Sequence, residues 1–265
     1  MYWKNKIVWV TGASSGIGEA VVKELAALGA KVILSSRNQA ELIRVQKEAK
    51  LTHENSLVLP LDLEKYKDLE KYVSKALKPW GKIDTLINNG GISQRDLAEN
   101  TSLAVSEKIM NINFFGAVSL TMALYPHLKS QKNGTIAVIS SIAGKVGTRM
   151  RSSYCASKHA LQGYFDSLRA EAFQDGIQVS IICPGYIKTN ISMNALIGSG
   201  KSQNKMDDGI ASGLDVNVTA KKILKGLEKG KEEIIISGFK ERFATYMKRF
   251  FPRILSIILR TAKVT

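Results

Sequence analysis

The sequence predicts an α/β fold in which a doubly wound parallel sheet carries helices on both faces. Short apolar runs alternate with helical patterns along most of the 265 residues, a glycine-rich segment joins the first run to the first helix, and no internal repeat or low-complexity block interrupts the alternation. A hydrophobic content of 45% suffices to bury a large core, and one domain is expected at this length.

Seven stretches are predicted to be strands, because each is a short apolar run between helical patterns. In chain order they are residues 7–11, 31–36, 56–60, 83–88, 135–140, 178–183 and 233–237. Apolar positions at helical spacing predict helices at residues 16–28, 38–50, 65–77, 106–129, 152–173 and 219–228. Helical crossovers between the strands make a seven-stranded parallel sheet the expected arrangement.

Residues 186–216 stand apart, because they show little periodicity and include no clear strand. Long irregular segments in compact domains often serve as lids or binding loops, and this one follows the sixth strand at the edge where open α/β sheets bind ligands. We expect it to cover a substrate; disorder without catalytic meaning is the alternative. Residues 1–239 are thus predicted to form one catalytic domain that includes this loop, followed by a C-terminal extension at 240–265.

The segment between the first strand and the first helix reads Thr-Gly-Ala-Ser-Ser-Gly-Ile-Gly and ends at Gly18. Gly12 allows a tight turn, Gly16 lets the backbone approach a pyrophosphate, and Gly18 allows close packing of helix on strand. The helix N-terminus then offers free N–H groups to phosphates. We expect a Rossmann-type nucleotide site here, formed by the three glycines with Ser14, Ser15 and Ile17.

The end of the second strand distinguishes between nicotinamide cofactors. An acidic residue there would bind the adenosine ribose and repel a 2′-phosphate, whereas this chain has Ser36 and Arg37. A guanidinium pairs well with phosphate. NADP(H) is therefore favoured and NAD(H) is the alternative, in which case Arg37 is a solvated surface charge.

Tyr154 and Lys158 lie four residues apart on the predicted helix 152–173, so both occupy one helical face. An ammonium beside a phenol favours the phenolate, and the pKa of this tyrosine, ordinarily about 10, is expected to fall toward neutrality. The pair alone is weak evidence, because on a surface helix it is usually a packed ring and a solvated charge.

The net charge of +15 is concentrated in part in the C-terminal extension, where seven basic residues accompany the single acid Glu241. These basic residues are Lys240, Arg242, Lys248, Arg249, Arg253, Arg260 and Lys263. Interspersed large apolar residues indicate a basic amphipathic segment that contacts a membrane surface, and it is too short and too charged to span one. The alternative is a helix that packs on its own domain or on a second subunit.

Cysteines and histidines are few. Cys155 and Cys183 argue for a reducing compartment rather than a disulfide framework, and His53, His127 and His159 complete no metal-ligand spacing. The chain opens with Met-Tyr-Trp-Lys-Asn-Lys and then enters an apolar strand, so no signal or anchor is expected ahead of the domain. The expected location is cytoplasmic, with peripheral membrane contact through the extension as an addition.

Together these motifs resemble the short-chain dehydrogenase/reductase family from Ile7 to about Ser237. The motifs that carry the resemblance are Thr11 to Gly18, Asp62-Leu63, Asn88-Asn89-Gly90-Gly91, Asn113-Phe114-Phe115-Gly116, Ser140-Ser141, Tyr154 to Lys158, and Pro184-Gly185 with Thr189. The family pattern usually has alanine where this chain has Gly90, and glycine keeps a small residue beside the adenine ribose.

The resemblance implies a role for each catalytic residue. Tyr154 would be the general acid or base, Lys158 would lower its pKa and reach the nicotinamide ribose, and Ser141 would stabilise the substrate oxygen. Asn113 would hold a water behind the lysine. Besides the glycine segment, the implied cofactor residues are Ser36, Arg37, Asp62, Leu63, Asn89, Gly90, Tyr154, Lys158, Pro184, Gly185, Ile187 and Thr189.

Four of these assigned roles have an alternative. Ser140 competes with Ser141 by position, Asn111 competes with Asn113, Asp62 is as consistent with a turn as with an adenine contact, and Thr189 is a candidate helix cap. The spacing of the family pattern favours Ser141 and Asn113.

The function implied is an NADP(H)-dependent oxidoreductase that interconverts a carbonyl and a secondary or primary alcohol. The motif texts and the basic tail look like the dehydrogenase/reductase member seven branch, near enzymes of steroids and retinoids, so a lipophilic substrate is expected. The alternatives are a 3-oxoacyl-carrier-protein reductase and, in another class, a nucleotide-binding, redox-responsive regulatory protein. A homodimer or homotetramer is expected through helices 106–129 and 152–173, and nucleic acid is the least favoured partner.

Overall fold

The structure is a computed structural model that describes residues 1–262, so Lys263, predicted to belong to the basic tail, lies outside the described residues. Seven parallel strands form one sheet in the order β3-β2-β1-β4-β5-β6-β7. They are β1 Ile7–Thr11, β2 Lys31–Ser35, β3 Ser56–Val58, β4 Thr85–Asn88, β5 Gly134–Ile139, β6 Ile177–Pro184 and β7 Glu233–Ile236. The predicted Rossmann-type sheet is confirmed.

The α-helices of the described chain are α1 Gly16–Ala27, α2 Gln39–Glu48, α3 Glu70–Leu77, α4 Leu103–Met110, α5 Gly116–Gln131, α6 Ser152–Ala172, α7 Asp208–Ala211, α8 Val216–Glu228, α9 Phe239–Phe250 and α10 Pro252–Thr261. Helices cover both faces of the sheet, with α1, α2 and α8 on one face and α3, α5 and α6 on the other. Successive side chains of a strand point to opposite faces. In β1, Trp9 therefore packs with the core under α3, α5 and α6, whereas Val8 and Val10 pack with the core under α1, α2 and α8.

Two predicted helices are interrupted. The prediction at 65–77 begins instead as a 3-10 segment, Leu63–Asp68, in which Lys65 leaves helical geometry before α3 starts. The prediction at 106–129 divides into α4 and α5 around a π-helical turn, Asn111–Phe115. A π turn adds one residue to a helix and is common at functional sites, and apolar periodicity does not reveal it.

The segment Leu103–Gln131, which comprises α4, the π turn and α5, is long and apolar enough to cross a membrane by length and composition alone. Its Leu120, Leu124 and Leu128 are fully buried in the core beneath the sheet. This segment is therefore a core element of the fold.

The predicted loop 186–216 is tied to the domain by isolated bridges. Leu196 pairs with Gln94 and with Ser202, and Ile187 pairs with Leu214. The short helix α7 lies inside this loop, a feature without periodicity in the sequence. The loop consequently has a defined path beside the carboxyl ends of β4, β5 and β6.

Candidate active site

A cavity of about 710 Å³ opens at the carboxyl ends of the central strands. Of the twenty residues predicted for the site, eighteen line it. Gly18 and Asn113 do not line it, and both lie directly behind its wall. The topology explains this convergence, because the carboxyl ends of parallel strands meet at one edge of the sheet.

The glycine segment forms a turn that only glycine fits. Gly12 has φ of +63°, and a Cβ on it would lie 2.8 Å from the Asn89 amide nitrogen. A Cβ on Gly18 would collide with the carbonyl oxygen of Gly12. The Asn89 side chain holds the turn in place by donating to the carbonyl oxygens of Thr11 at 3.0 Å and Gly12 at 3.1 Å.

The N-terminus of α1 faces the same cavity. Ser15 precedes the helix, and its side chain makes no capping hydrogen bond, so the N–H groups of the first turn stay available. Ser14, Ser15, Gly16 and Ile17 all line the cavity. Uncapped N–H groups beside the glycine turn fit a dinucleotide pyrophosphate.

The adenosine end of the cavity is polar. Arg37 is exposed on its rim, and among residues 1–262 it forms no ion pair with a carboxylate, whereas Asn38 next to it caps α2 by accepting from the Glu41 N–H at 3.2 Å. Asp62 accepts from the Glu64 N–H at 3.0 Å, which is the turn-forming alternative, although it also lines the cavity. Ser36 lines the cavity beside them.

Leu63 explains the glycine at position 90. A Cβ on Gly90 would collide with the Leu63 side chain, so alanine would require that side chain to move. The Gly90 N–H and the Asn89 N–H both donate to the Thr11 hydroxyl, at 3.1 and 3.0 Å. This arrangement fixes the backbone after β4 against the glycine turn.

The two candidate serines have different surroundings. Ser140 is buried; its hydroxyl donates to the Lys158 carbonyl at 3.0 Å and accepts from the Gln162 amide at 3.0 Å. Ser141 is half-buried in the cavity wall, and its hydroxyl interacts with the Tyr154 phenol. Ser141 therefore stands beside the tyrosine, and Ser140 holds the end of β5 against α6.

Tyr154 is buried, and this burial raises the pKa of its phenol above the ordinary value. The hydrogen bond from Ser141 and the positive charges of Arg151 and Arg95 oppose the increase without cancelling it. The Lys158 Nζ lies 5.7 Å from the centre of the tyrosine ring. The expectation that Lys158 brings this pKa down toward neutrality is therefore wrong for this geometry, since burial has the larger effect.

Lys158 is also buried, and burial lowers the pKa of its ammonium from 10.5 to about 8. The ammonium donates to the Ile139 carbonyl at 2.7 Å, at the end of β5. It thus occupies a low-dielectric position at the cavity floor with one fixed hydrogen bond.

Asn113 lies in the π turn between α4 and α5. Its side-chain oxygen accepts from the Ile92 N–H at 2.8 Å, and its nitrogen donates to the Ile92 carbonyl at 2.9 Å and to the Ser157 hydroxyl at 3.0 Å. Asn113 therefore joins the segment after β4 to the residue that precedes Lys158. Asn111 has no corresponding role among the described contacts.

The segment after β6 closes the cavity over the glycine turn. Pro184, Gly185, Ile187 and Thr189 all line the cavity. The Thr189 methyl lies 3.3 Å from the position of a Cβ on Gly16, so it covers the start of α1. No α-helix of the described chain begins at Thr189, which excludes the helix-cap alternative for these residues.

The sequence did not predict the buried ion cluster that lies beside Tyr154. Asp207, from the loop 186–216, accepts from Arg95 at 2.7 and 2.6 Å and from Arg151 at 3.2 Å, and its side chain is fully buried. Arg95 and Arg151 both line the cavity. The cluster ties the loop to the wall that holds Tyr154. Three charged residues so distant in sequence carry no local pattern that reveals such a contact.

Among residues 1–262 no group of three His, Cys, Asp or Glu side chains could hold a metal ion. Cys155 and Cys183 are both buried and free. The polar groups that line the described cavity thus include the Tyr154 phenol, two ammonium groups, several hydroxyls, two carboxylates and three guanidinium groups.

Comparison with known proteins now identifies the family. The family model for short chain dehydrogenases matches residues 6–198. The chain belongs to the short-chain dehydrogenase/reductase family. It is 41% identical over 261 residues to a dehydrogenase/reductase SDR family protein 7-like from Anopheles gambiae, covering 97% of this chain and 82% of that protein. It is 39% identical to human dehydrogenase/reductase SDR family member 7, covering 94% and 75% of the two chains.

Solved structures of the family share the fold. A short chain dehydrogenase/reductase from Burkholderia phymatum, in complex with NAD, matches with a TM-score of 0.84 at 18% identity, covering 100% of this chain and 99% of that one. A short chain dehydrogenase from Burkholderia cenocepacia, in complex with NADP, matches with a TM-score of 0.80 at 23% identity, covering 99% and 100%. These structures show that the fold is shared, and the family model and the relatives identify the chain as an oxidoreductase of this family.

Proposed function

We propose that the protein is an NADP(H)-dependent oxidoreductase that interconverts a lipophilic carbonyl compound and its alcohol. The observation that carries the proposal is the convergence of Ser141, Tyr154 and Lys158 on one cavity that also contains the glycine turn. Relatives named dehydrogenase/reductase support the reaction class.

In this proposal Tyr154 donates the proton to the carbonyl oxygen during reduction and takes it back during oxidation. The nicotinamide supplies or accepts the hydride. Ser141 donates a hydrogen bond to the same oxygen and stabilises the charge that develops there. The raised pKa of Tyr154 keeps the phenol protonated at neutral pH, which suits the reductive direction.

Lys158 and Asn113 have supporting roles. Lys158 would bind the nicotinamide ribose from the floor of the cavity and carry protons to and from Tyr154, and a pKa of about 8 lets it exchange protons near neutrality. Asn113 anchors the segment after β4 to the turn of α6 that contains Lys158. We also include in this proposal the water that Asn113 would hold behind Lys158.

The preference for NADP(H) rests on Arg37 and Ser36 at the end of β2. A guanidinium at the cavity rim suits a 2′-phosphate, and no carboxylate stands at this position to bind a free ribose. Titration of NADPH and NADH into the protein measures the preference. Equal affinity for the two nucleotides would contradict the proposed preference for NADP(H).

The proposal of a lipophilic substrate depends on the apolar side chains of the cavity. Such side chains from several elements line it, namely Ile92, Ile142, Val146, Ile191, Leu196, Ile210 and Leu259. Polar side chains, among them Asn190, Asn194 and Ser202, line the cavity as well, so the proposal depends on the number of apolar side chains. The loop 186–216 supplies three of these apolar side chains, in keeping with a substrate-covering role.

We further propose a homodimer or homotetramer assembled through the helices of residues 103–131 and α6, as the family resemblance implies. Phe115 and Met122 are 40% and 44% exposed on these helices and are candidates for burial in such an interface. Residues 1–239 would act as one catalytic domain and 240–265 as its extension. The two free, buried cysteines suit a reducing, cytoplasmic location.

A screen of NADPH oxidation tests the proposed reaction. Steroid, retinoid, sugar and 3-oxoacyl carbonyls are compared at equal concentration with the purified protein. The proposal predicts turnover on the lipophilic carbonyls. Turnover on sugars alone would exclude the lipophilic substrate, and absence of turnover with every class would exclude the reaction.

A further inference from the structure

Helices α9 and α10 expose more large apolar side chains than any other part of the described chain. Eight of the fifteen that are exposed within residues 1–262 lie on these helices or on the residue between them. We call this set the tail surface; it comprises Phe239, Phe243, Tyr246, Phe250, Phe251, Ile254, Ile257 and Ile258. The spacing of four, three and four residues along α9 places its members on one helical face.

The charges around the tail surface are almost all positive. Six basic residues lie on the two helices, and within residues 1–262 none of them forms an ion pair. They are Lys240, Arg242, Lys248, Arg249, Arg253 and Arg260. The single acid, Glu241, is half-buried and faces inward, where it accepts from the Tyr186 N–H at 3.4 Å.

The inner side of the same two helices forms part of the substrate cavity. Leu255 is the buried residue of α10. Ala244 and Leu259 line the cavity, as does Glu241. One helical hairpin therefore separates the cavity from an exposed apolar and basic surface. The predicted alternative, packing of the tail on its own domain, therefore applies only to the inner side of these helices.

We propose that the tail surface docks on a membrane that contains anionic phospholipids, and that a lipophilic substrate passes between the bilayer and the cavity beside Leu259. The docking rests on the exposed surface alone, whereas the passage also rests on the proposed function. Exposed aromatic and aliphatic side chains enter the headgroup boundary, while Lys and Arg bind anionic headgroups.

The positive charge of the tail surface favours an anionic membrane over a second copy of the chain as its partner. A two-fold contact between identical tail surfaces would bring the six cations of one copy against the same six of the other. An anionic lipid surface neutralises these charges instead. Nucleic acid would also neutralise them, but it would leave contiguous apolar side chains without a partner.

Vesicle flotation tests the docking with the full chain. Binding is measured to vesicles of phosphatidylcholine alone and of phosphatidylcholine with phosphatidylserine, at low and high salt, for the wild type and for Ile257→Glu. The matched control is Val218→Glu, which places the same charge on an exposed apolar site of α8. We expect binding that requires phosphatidylserine and weakens with salt, a loss of roughly tenfold or more in Ile257→Glu, and no change in the control.

Three outcomes would overturn the docking: no binding to either vesicle, equal binding by Ile257→Glu, or an equal loss in Val218→Glu. Light scattering accompanies the flotation. If Ile257→Glu converted an oligomer to a smaller species while vesicle binding stayed unchanged, the tail surface would be an interface between copies of this chain.

The passage of substrate is tested by NADPH oxidation with two carbonyls, one soluble in water and one dissolved in the phosphatidylserine vesicles. Ile257 does not line the cavity, so Ile257→Glu is expected to keep the wild-type rate on the soluble carbonyl and to lose severalfold on the vesicle-bound one. Equal rates of the two proteins on both substrates would contradict the passage. Vesicle binding without turnover of any carbonyl would contradict the proposed function and leave the docking intact.

Discussion

Replacing Lys158 with methionine is expected to produce a more stable but inactive protein. Burial lowers the pKa of the Lys158 ammonium from 10.5 to about 8, so keeping that charge in the folded protein at neutral pH costs about 3 kcal/mol. Methionine removes this cost and fills a similar volume. Loss of the hydrogen bond to the Ile139 carbonyl offsets roughly 1 kcal/mol of this gain in stability. We therefore expect a net gain of about 2 kcal/mol in the free energy of unfolding near pH 7.

The pH dependence of this gain distinguishes charge burial from better packing. The folded pKa is the lower one, so between about pH 8 and pH 10.5 the unfolded chain binds more protons than the folded protein. The stability of the wild type relative to Lys158→Met should consequently rise across that window.

Urea unfolding of both proteins near pH 7 and near pH 10 measures the difference, and NADPH oxidation measures the loss of activity. Lys129→Met, at an exposed ion pair with Asp175, is the control and should change little at either pH. A variant that is less stable than the wild type near pH 7, or a stability difference that does not change with pH, would refute the reasoning.

Two further substitutions probe the cluster and the cofactor site. Asp207→Asn removes the carboxylate that the buried Arg95 guanidinium pairs with and should lower the free energy of unfolding by about 3–5 kcal/mol in urea titrations, whereas the exposed neighbour change Asp208→Asn should be nearly neutral. A loss as small as that of the control would show that Asp207 does not hold the cluster together. Arg37→Ser should weaken NADPH binding about tenfold or more in fluorescence titrations and leave NADH binding unchanged, because only the 2′-phosphate loses its charged partner. Equal weakening of both nucleotides would instead indicate a structural role for Arg37.

Strand positions could be predicted from sequence because buried parallel strands are nearly continuous apolar runs. The first strand matches the prediction at both ends, and the other six differ by at most two residues at either end. The glycine turn was equally predictable, because a positive φ at Gly12 and close packing at Gly18 leave no room for a side chain. These are local constraints that a short stretch of sequence expresses by itself.

Features that depend on distant contacts could not be predicted in the same way. The π turn around Asn113 is stabilised by the backbone of Ile92, and the cluster of Arg95, Arg151 and Asp207 joins three separate segments. The pKa of Tyr154 also depends on how deeply the folded chain buries the phenol, which the four-residue spacing to Lys158 does not specify. Tertiary contact determines each of these properties.

The role of Tyr154 as the proton donor is the central claim, and Tyr154→Phe tests it most directly. The measurement is the single-turnover rate of NADPH oxidation on the carbonyl that the screen identifies, with NADPH affinity measured on the same sample. Phenylalanine keeps the ring and removes the hydroxyl, so we predict a rate roughly 10²- to 10⁴-fold lower with unchanged NADPH affinity. A wild-type rate in Tyr154→Phe would contradict the account.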